Sequence, residues 1–443
     1  MAKKNRDTTD LPAKKGRQGK EPFRCLGITF DTADAATAKQ HLLYLALIAI
    51  VARILVFLVS SSISFVDYFD YAYYLEHAAL VTQGQLPYAA YNFDYPVLAF
   101  VPIFLALVPT LVTQSAATFF LSFQVLMLIC DLVTLLCIYL IALKLYDERT
   151  AFLAALLYAT AFATAYFVIT KYDAFPTCLL MLAVLFTLCG MKLQGYFAAG
   201  LGFFAKIFPA LAFPFLILHN TKKSSLKDEI IAVLKVMVPL CIVLLIPVLL
   251  VRPEAIRTYL FATGGSVGVY VNTLTYTLYS WISGVAHIGI TPENVSLLMY
   301  VLMGITLLYL LYAAWSDEEK RPATLLATLL LAIVAVVVFT KFHSPQYIVW
   351  FTPFLCLLVA DDIRKIALFY LVQLLAYIEF PLMFGGYYTN LEYSHAAGSA
   401  GWYVTLLFFT LQYAVLIFLV LWTTRPCTAL LQKLQKGKKT ETE

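Results

Sequence analysis

Charged residues are scarce in this sequence. Asp, Glu, Lys and Arg make up 13% of its 443 residues, whereas 62% of the residues are hydrophobic. Soluble globular domains carry about 25% charged residues, so the composition excludes an ordinary soluble protein. Apolar blocks of about 20 residues, the length that crosses a bilayer, recur along the whole chain. The composition therefore predicts an all-α, polytopic membrane protein.

Familiar enzyme motifs are also absent. The sequence has no P-loop, no GxGxxG after a strand, no HExxH pair and no GxSxG elbow. None of its eight cysteines falls in a long outer loop, so no disulfide framework is predicted. The net charge of +5 comes largely from the two ends of the chain, and it predicts no nucleic-acid partner.

Most of the membrane spans follow directly from the apolar segments. They are residues 41–60, 117–143, 151–169, 173–191, 229–251, 294–315, 323–340, 346–360, 364–384 and 401–423. Two further regions decide the topology. Residues 97–112 are apolar but short and contain two prolines, and residues 195–218 have Lys206 at their centre and Pro209 just after it.

We favour a topology in which 97–112 form a re-entrant or interfacial helix and 195–218 form two short helices that turn at "AKIFP". The chain then crosses the membrane about twelve times, with both ends inside. The alternative makes each region a full span and also gives about twelve. It buries Lys206 near the bilayer centre, which costs roughly 2.5–3.5 kcal/mol for a lone ammonium group, and the positive-inside rule mildly disfavours it.

The remaining segments divide the chain into two tails and one domain. Residues 1–40 are basic and lack hydrophobic periodicity, so we expect a disordered cytoplasmic tail without a cleavable signal. Residues 424–443 are expected to form a second basic cytoplasmic tail. The transmembrane domain, residues 41–423, has long outer loops at 61–116 and 252–293.

This topology gathers polar residues at the outer ends of the helices. They are Asp67, Asp70, Asp94, Lys171, Asp173, Lys206, Arg252, Arg257, Lys341, His343 and Gln346. The three aspartates lie in "FVDYFDYAYYLEHAALVTQGQLPYAAYNFDYP", which also holds seven tyrosines. Polar groups gathered at one depth are expected where a reaction takes place at the membrane surface.

Sugar transfer from a lipid-phosphate carrier would use these residue types. A carboxylate takes the proton of an acceptor hydroxyl as it attacks the anomeric carbon, and cations stabilise the departing phosphate. Aromatic and polar groups hold the sugar. A lipid or solute transporter or flippase is an alternative, although no internal repeat is visible and the charges lie at one face. An acyl or phospho-group transferase is a second alternative.

Four stretches resemble a known superfamily. "DYFDYAYYLEHAALVTQGQLPYAAYNFDYPVLAFVP" resembles the first outer loop of GT-C glycosyltransferases, above all polyprenol-phosphate-mannose-dependent mannosyltransferases such as the mycobacterial phosphatidylinositol-mannoside enzyme. "KYDAFPTCLLMLAVLF", "GYFAAGLGFFAKIFPALAFPFLIL" and "KFHSPQYIVWFTPFL" are also similar to these enzymes. The last resembles the SPQY segment of glycosylphosphatidylinositol mannosyltransferases as well. The resemblance runs from about residue 40 to about residue 385.

The resemblance implies inverting transfer at a luminal or extracellular site, with a catalytic Asp in the first outer loop. We expect the protein to lie in the cell membrane, with this site on its extracytoplasmic side. That loop would carry juxtamembrane helices, of which 97–112 is one. The family pattern of Asp followed by Tyr matches "DYAYY", so Asp70 is the expected base and Asp67 the neighbour that could replace it. The family's hairpin Lys matches Lys206, and its SPQY-segment His matches His343.

These matches lead to a full set of predicted contacts. The donor phosphate or sugar is expected to contact Lys206, His343, Gln346, Lys171, Asp173, Arg252 and Arg257. The acceptor pocket is expected to include Asp94, Tyr73, Tyr74, Tyr95 and Tyr347. The expected partners are a polyprenyl-phosphate sugar donor, a lipid-linked or glycan acceptor and membrane lipids.

The acids also have plainer interpretations. Asp67 and Asp70 could cap or solvate a helix end. At positions i and i+3 of a helix they could share a divalent cation, although no metal site is predicted. Asp94 precedes Tyr-Pro, where an Asx turn is the usual explanation.

The basic residues have plainer interpretations too. Lys171 and Asp173 could pair with each other at the membrane surface. Lys206 could extend its ammonium group to the interface. Arg252 and Arg257 could anchor the end of a span, and His343 could be an ordinary hydrogen-bonding residue.

Overall fold

The protein is described by a computed structural model covering residues 21–62, 66, 68–91, 93–254 and 268–425. One antiparallel hairpin, β1 (Pro22–Cys25) and β2 (Ile28–Asp34), precedes a domain built from helices. This architecture confirms the predicted all-α class of a polytopic membrane protein.

The helices fall into two groups along the chain. The first group is α1 (Ala35–Ser62), α2 (Phe69–Thr82), α3 (Phe100–Thr113), α4 (Ala116–Leu145), α5 (Glu148–Ala159), α6 (Phe162–Thr170), α7 (Ala174–Leu188), α8 (Lys192–Ala205) and α9 (Ala212–Asn220). The second is α10 (Leu226–Leu240), α11 (Ile246–Val251), α12 (Leu274–Tyr279), α13 (Pro292–Ser316), α14 (Pro322–Phe339), α15 (Ile348–Val359), α16 (Ile363–Tyr377) and α17 (Ala400–Thr424). Short 3-10 or π turns extend several of these helices at 97–99, 208–211, 241–245, 280–285, 345–347 and 378–383.

The hairpin corrects one expectation. Residues 21–40 are not a disordered tail, because β1, β2 and the first turns of α1 occupy them. Leu26 and Gly27 both have positive φ, which suits the tight turn of a two-residue hairpin. Phe23 and Phe30 are buried. The two strands thus make apolar contacts, although they are too short to show a periodic hydrophobic pattern in the sequence. Residues 1–20 and 426–443 lie outside the described residues.

Seven helices in the described part of the chain are long and apolar enough to cross a membrane. An eighth span results if α5 and α6, which bend by 62° between Ala159 and Phe162, are taken together. The sequence predicts one span at 151–169, whereas the structure divides this segment into two helices that meet at the bend. Four more apolar helices are shorter, including Ala174–Leu188 and Pro345–Val359. The count of about twelve crossings therefore stays a prediction.

Both regions that decide the topology contain short helices, and their placement relative to a membrane stays a prediction. Residues 97–113 form one short helix, and 61–116 thus carry the helices α2 and α3. The segment 195–218 is broken, because α8 ends at Ala205 and Lys206 is extended. A Cβ on Gly202 would lie 2.9 Å from Pro209, so glycine permits the two arms of this turn to pack closely.

A buried ion pair joins α1 to α4. The Arg53 Nε donates to Asp131 Oδ2 at 2.9 Å, and the Tyr158 hydroxyl donates to Asp131 Oδ1 at 2.7 Å. Arg53 and Asp131 are 1% and 0% exposed. The sequence analysis did not single out either residue, although a charge inside an apolar segment is itself a signal for a partner.

The same guanidinium group stabilises the bend between α5 and α6. It also donates to the backbone carbonyls of Tyr158 and Ala159, the last residues of α5. A break in a helix leaves such carbonyls without intrahelical donors. Arg53 supplies those donors in a place that water does not reach, so the ion pair and the bend depend on each other.

We expect Asp131→Asn to lower the free energy of unfolding by about 3–5 kcal/mol, because it leaves the Arg53 charge buried without a counter-charge. The measurement is denaturant or thermal unfolding of the purified protein in detergent. The matched control is Asp361→Asn, which removes an exposed partner 3.7 Å from Lys365. An exposed pair of this kind contributes at most about 1 kcal/mol, and equal losses for the two variants would contradict the assignment.

Candidate active site

Four chain segments meet where their helices end. α2 begins with Asp70 in its first turn, and the link between α6 and α7 supplies Lys171, Tyr172 and Asp173. The break after α8 supplies Lys206, and the start of α15 supplies Trp350 with Tyr347 just before it. Helix ends leave backbone groups and side chains free to face one another, which is why these groups can converge.

The first of two ion pairs joins Asp70 to Lys171, with 2.7 Å between Lys171 Nζ and Asp70 Oδ2. The Asp70 side chain is 17% exposed and that of Lys171 only 4%. The Asp70 carboxylate is therefore the more accessible member of the pair.

The second ion pair joins Asp173 to Lys206, with 2.7 Å between Lys206 Nζ and Asp173 Oδ1. The plainer interpretation that Lys171 and Asp173 pair with each other is thus wrong. Lys171 is in an extended conformation, but Asp173 already has helical backbone angles. The chain therefore turns between the two residues, and the alternation of a strand, which would place residues two apart on one side, does not apply to them. Each residue binds an oppositely charged side chain from a different helix end.

Aromatic rings surround the Lys206 ammonium group. Its Nζ lies 4.7 Å from the ring centroid of Tyr172, 5.2 Å from that of Trp350 and 5.7 Å from that of Tyr347. The Trp350 Nε1 donates to the same Asp173 oxygen at 2.5 Å. Three cation–π contacts and one carboxylate therefore hold the ammonium group of Lys206.

Several buried polar atoms beside these pairs have no hydrogen-bond partner within the described part of the chain. They include Asp173 Oδ2, the Tyr172 hydroxyl and Thr177 Oγ1. Burial raises the pKa of Tyr172 well above its usual value, so its hydroxyl is a neutral donor near pH 7. Unsatisfied polar atoms are rare in native interiors, and a group of them at helix ends points to a ligand or solvent site.

The tyrosines of the first outer loop line one side of this site. The Tyr95 ring lies 4.9 Å from that of Tyr172, and the Tyr74 ring lies 6.2 Å from it. Tyr73 is one layer farther out, and its hydroxyl donates to Asp94 Oδ2 at 3.2 Å. Among the residues predicted for an acceptor pocket, Tyr74 and Tyr95 thus pack against the Tyr172 ring, and Tyr347 faces the Lys206 ammonium group.

His343 lies beside this site in a second polar cluster. Its ring packs edge-on against Tyr347 at 5.7 Å, and its Nε2 is 3.7 Å from Glu379 Oε1. Burial lowers the pKa of His343 to about 4, so the imidazole is neutral near pH 7. Gln346 accepts from the Ser344 hydroxyl at 2.6 Å. The sequence analysis missed Glu379, whose only signal was an acid near the end of an apolar segment.

Among the remaining predicted residues that the structure describes, Arg252 is not placed in these clusters. Arg252 lies 3.5 Å from Glu254, its neighbour in the same loop. Asp67 and Arg257 lie outside the described residues. In the part of the chain that the structure describes, no group of three or more His, Cys, Asp or Glu side chains has the arrangement of a metal site.

Comparison with known proteins gives one family match. Residues 93–250 match the family of dolichyl-phosphate-mannose-protein mannosyltransferases. The match includes the second and third helix ends of the site, with Lys171, Asp173 and Lys206. No curated protein matches the chain in sequence.

Solved structures add distant similarities. The apo Archaeoglobus fulgidus oligosaccharyltransferase is 12% identical with a TM-score of 0.43, and the alignment covers 87% of this chain and 55% of that one. The same values describe archaeal oligosaccharyltransferase AglB from A. fulgidus in complex with an inhibitory peptide and a dolichol-phosphate. The complex with Zn and sulfate gives 13% identity, a TM-score of 0.41 and coverages of 84% and 52%. The chain spans about half the length of these structures.

We expect Trp350→Phe to lower the free energy of unfolding by about 1.5–3 kcal/mol, because it removes a hydrogen bond to a buried carboxylate while keeping an aromatic ring. The measurement is chemical unfolding in detergent. Trp281→Phe is the matched control, because Trp281 Nε1 donates to the neutral Thr410 hydroxyl at 2.9 Å. That loss should be about 0.5–1.5 kcal/mol, and the reverse order would contradict the charge-assisted bond.

Proposed function

We propose that this protein transfers a sugar, specifically mannose, from a polyprenyl-phosphate donor to a lipid-linked or glycan acceptor on the extracytoplasmic side. The observation that carries the proposal is the meeting of two carboxylate–lysine pairs, Asp70–Lys171 and Asp173–Lys206, around the Tyr172 ring. The pairs combine a proton acceptor with cations for a phosphate, and tyrosines border them. The family match over residues 93–250 supports the same class of reaction.

Asp70 is the better base of the two acids. A general base must be within reach of the acceptor hydroxyl, and Asp70 is partly exposed whereas Asp173 is fully buried. One oxygen of Asp173 already accepts from both Lys206 and Trp350. Asp67 remains the neighbour that could take the role of Asp70.

Lys206 is the best candidate for the donor phosphate. Its side chain is 14% exposed, and the rings of Tyr172, Tyr347 and Trp350 surround its ammonium group. If Lys206 turns from Asp173 toward a phosphate, the Asp173 carboxylate still accepts the hydrogen bond from Trp350 Nε1 and so keeps one partner. His343 and Gln346 are proposed as further contacts of the polyprenyl-phosphate sugar, because Tyr347 in the same segment packs against both His343 and Lys206.

The reaction that we propose is a single displacement. The acceptor hydroxyl oxygen attacks the anomeric carbon while the Asp70 carboxylate takes its proton. The bond between the anomeric carbon and the phosphate oxygen breaks, and the polyprenyl phosphate leaves with the electron pair. Lys206 stabilises the negative charge that develops on this phosphate. One attack from the opposite face inverts the anomeric configuration.

The decisive experiment is a transfer assay on purified protein in nanodiscs. Polyprenyl-phosphate-mannose and GDP-mannose are offered separately, with membrane lipid extract as the acceptor. We expect transfer from the lipid donor alone. We also expect Asp70→Asn to lower kcat by at least about a hundredfold, because general-base catalysis contributes about 10²–10⁴.

Two further variants sharpen this assay. Glu76→Gln, in the same helix and exposed, should transfer at the wild-type rate. Asp67→Asn tests the alternative base. Full activity in both Asp70→Asn and Asp67→Asn would rule out the proposed mechanism. Movement of the labelled lipid across the bilayer without sugar transfer would instead favour the flippase alternative.

We expect Lys206→Met to raise the KM for the lipid donor by about tenfold or more and to lower kcat, because a phosphate contact acts in both the bound and the transition state. Lys192→Met is the matched control. Lys192 lies at the other end of α8 and is also 2.7 Å from a buried carboxylate, that of Glu229. Its replacement should leave the donor KM unchanged, and similar kinetic changes in both variants would argue against a phosphate contact.

A further inference from the structure

Glu379 is a carboxylate in an unusual place. It lies in the π turn that continues α16, within the apolar segment Ile363–Met383, and is 1% exposed. An acid in such a segment is costly unless other groups hold it, and it is a functional-site candidate by default. Neither the sequence analysis nor the proposed reaction uses it.

Three other segments converge on this carboxylate. Asn272 Nδ2 donates to Glu379 Oε1 at 2.8 Å, and the Gln412 side-chain amide donates to the other oxygen. His343 Nε2 lies 3.7 Å from Oε1. The Tyr413 hydroxyl donates to the Asn272 backbone carbonyl at 2.6 Å, which fixes the loop that presents the amide. One acid thus joins the loop before α12, the loop before α15 and α17.

This cluster is incompletely satisfied. His343 Nδ1, Asn272 Oδ1 and Gln412 Oε1 have no hydrogen-bond partner among the described residues. A cavity of about 30 Å³ lies beside them, lined by His343, Glu379, Gln412 and apolar side chains. Structural networks in native interiors are normally complete, so an incomplete one next to a candidate active site indicates a role in function.

A continuous set of rings joins the cluster to Lys206. The His343 ring packs edge-on against Tyr347, Tyr347 stacks on Trp350 at 3.8 Å, and both rings face the Lys206 ammonium group. A shift of the imidazole would displace Tyr347. That displacement would change the wall of the site that holds the cation.

We propose that Glu379 is a positioning residue, which orients the His343 imidazole through Nε2 and thereby sets the Tyr347–Trp350 wall around Lys206. The proposal rests on the proposed function for its kinetic consequence, and its geometric part stands independently. The 3.7 Å separation is longer than a hydrogen bond, and catalytic contacts in ligand-free enzymes commonly tighten when substrate binds.

The kinetic test compares Glu379→Gln, Glu379→Asp and wild type in the lipid-donor assay. We expect Glu379→Gln to lower kcat by about a hundredfold with a smaller change in KM, because misplacing a contact by about 1 Å costs that much. Glu379→Asp keeps the charge and should recover part of the loss. The double variant with His343→Gln should lose no more than the more damaging single variant, because both act through one imidazole.

The control separates positioning from folding. Glu229→Gln alters another buried carboxylate, which accepts from Lys192 and Tyr196 away from the site. It should lower the Tm without changing kcat beyond the folded fraction. Wild-type kinetics in Glu379→Gln, or losses that are fully additive with His343→Gln, would overturn the proposal.

A readout without substrate keeps the two proposals apart. Trp350 is one of five tryptophans, so the other four are changed to Phe and its fluorescence is recorded. We expect Glu379→Gln to shift the emission maximum and Glu229→Gln to leave it unchanged. If wild type transfers no sugar but the shift is seen, the reaction assignment fails and the positioning contact stands. An unshifted spectrum would overturn the positioning contact.

Discussion

A charge buried in a membrane domain must meet a partner, and this constraint organises the molecule. Arg53 and Asp131 join α1 to α4 and stabilise the bend that follows α5. Lys206 and Asp173 join the break after α8 to the link between α6 and α7. In each case a helix is interrupted beside a charged side chain. Because a lone charge in this setting is expensive, each pair fixes the relative positions of the helices that carry it.

The Arg53–Asp131 pair and the two pairs around Tyr172 have different consequences for chemistry. Arg53 uses its donors on Asp131 and on two carbonyls, which makes it a structural element. The pairs around Tyr172 leave Asp173 Oδ2 and the Tyr172 hydroxyl without partners, and Asp70 is partly exposed. A polar group that the protein has not satisfied can still bind a substrate. Both places contain buried charges, so burial and charge do not separate them. The candidate site differs from the Arg53–Asp131 pair because some of its polar atoms have no hydrogen-bond partner among the residues that the structure describes.

Much of the helical framework could be predicted from the sequence. Apolar blocks located the long spans, and the charge of Lys206 with Pro209 located the break between α8 and α9, because a membrane penalises that lysine inside a continuous helix. The bend at Ala159–Phe162 could not be predicted from the apolar block 151–169, since Arg53, the residue that stabilises it, lies about a hundred positions away. The hairpin at 22–34 was missed because its strands are too short to show a periodic pattern.

The sequence by itself determined which residue types are present at the ends of the helices: acids and tyrosines after α1, lysines after α6 and α8, and a histidine before α15. Only the tertiary structure decided which acid meets which lysine. Lys171 and Asp173 are near neighbours in the chain, yet the backbone changes from extended at Lys171 to helical at Asp173, and each side chain pairs with a residue from another helix end. The structure also brought Glu379 to His343, because partners from separate helices are chosen by packing and leave no local pattern in the sequence.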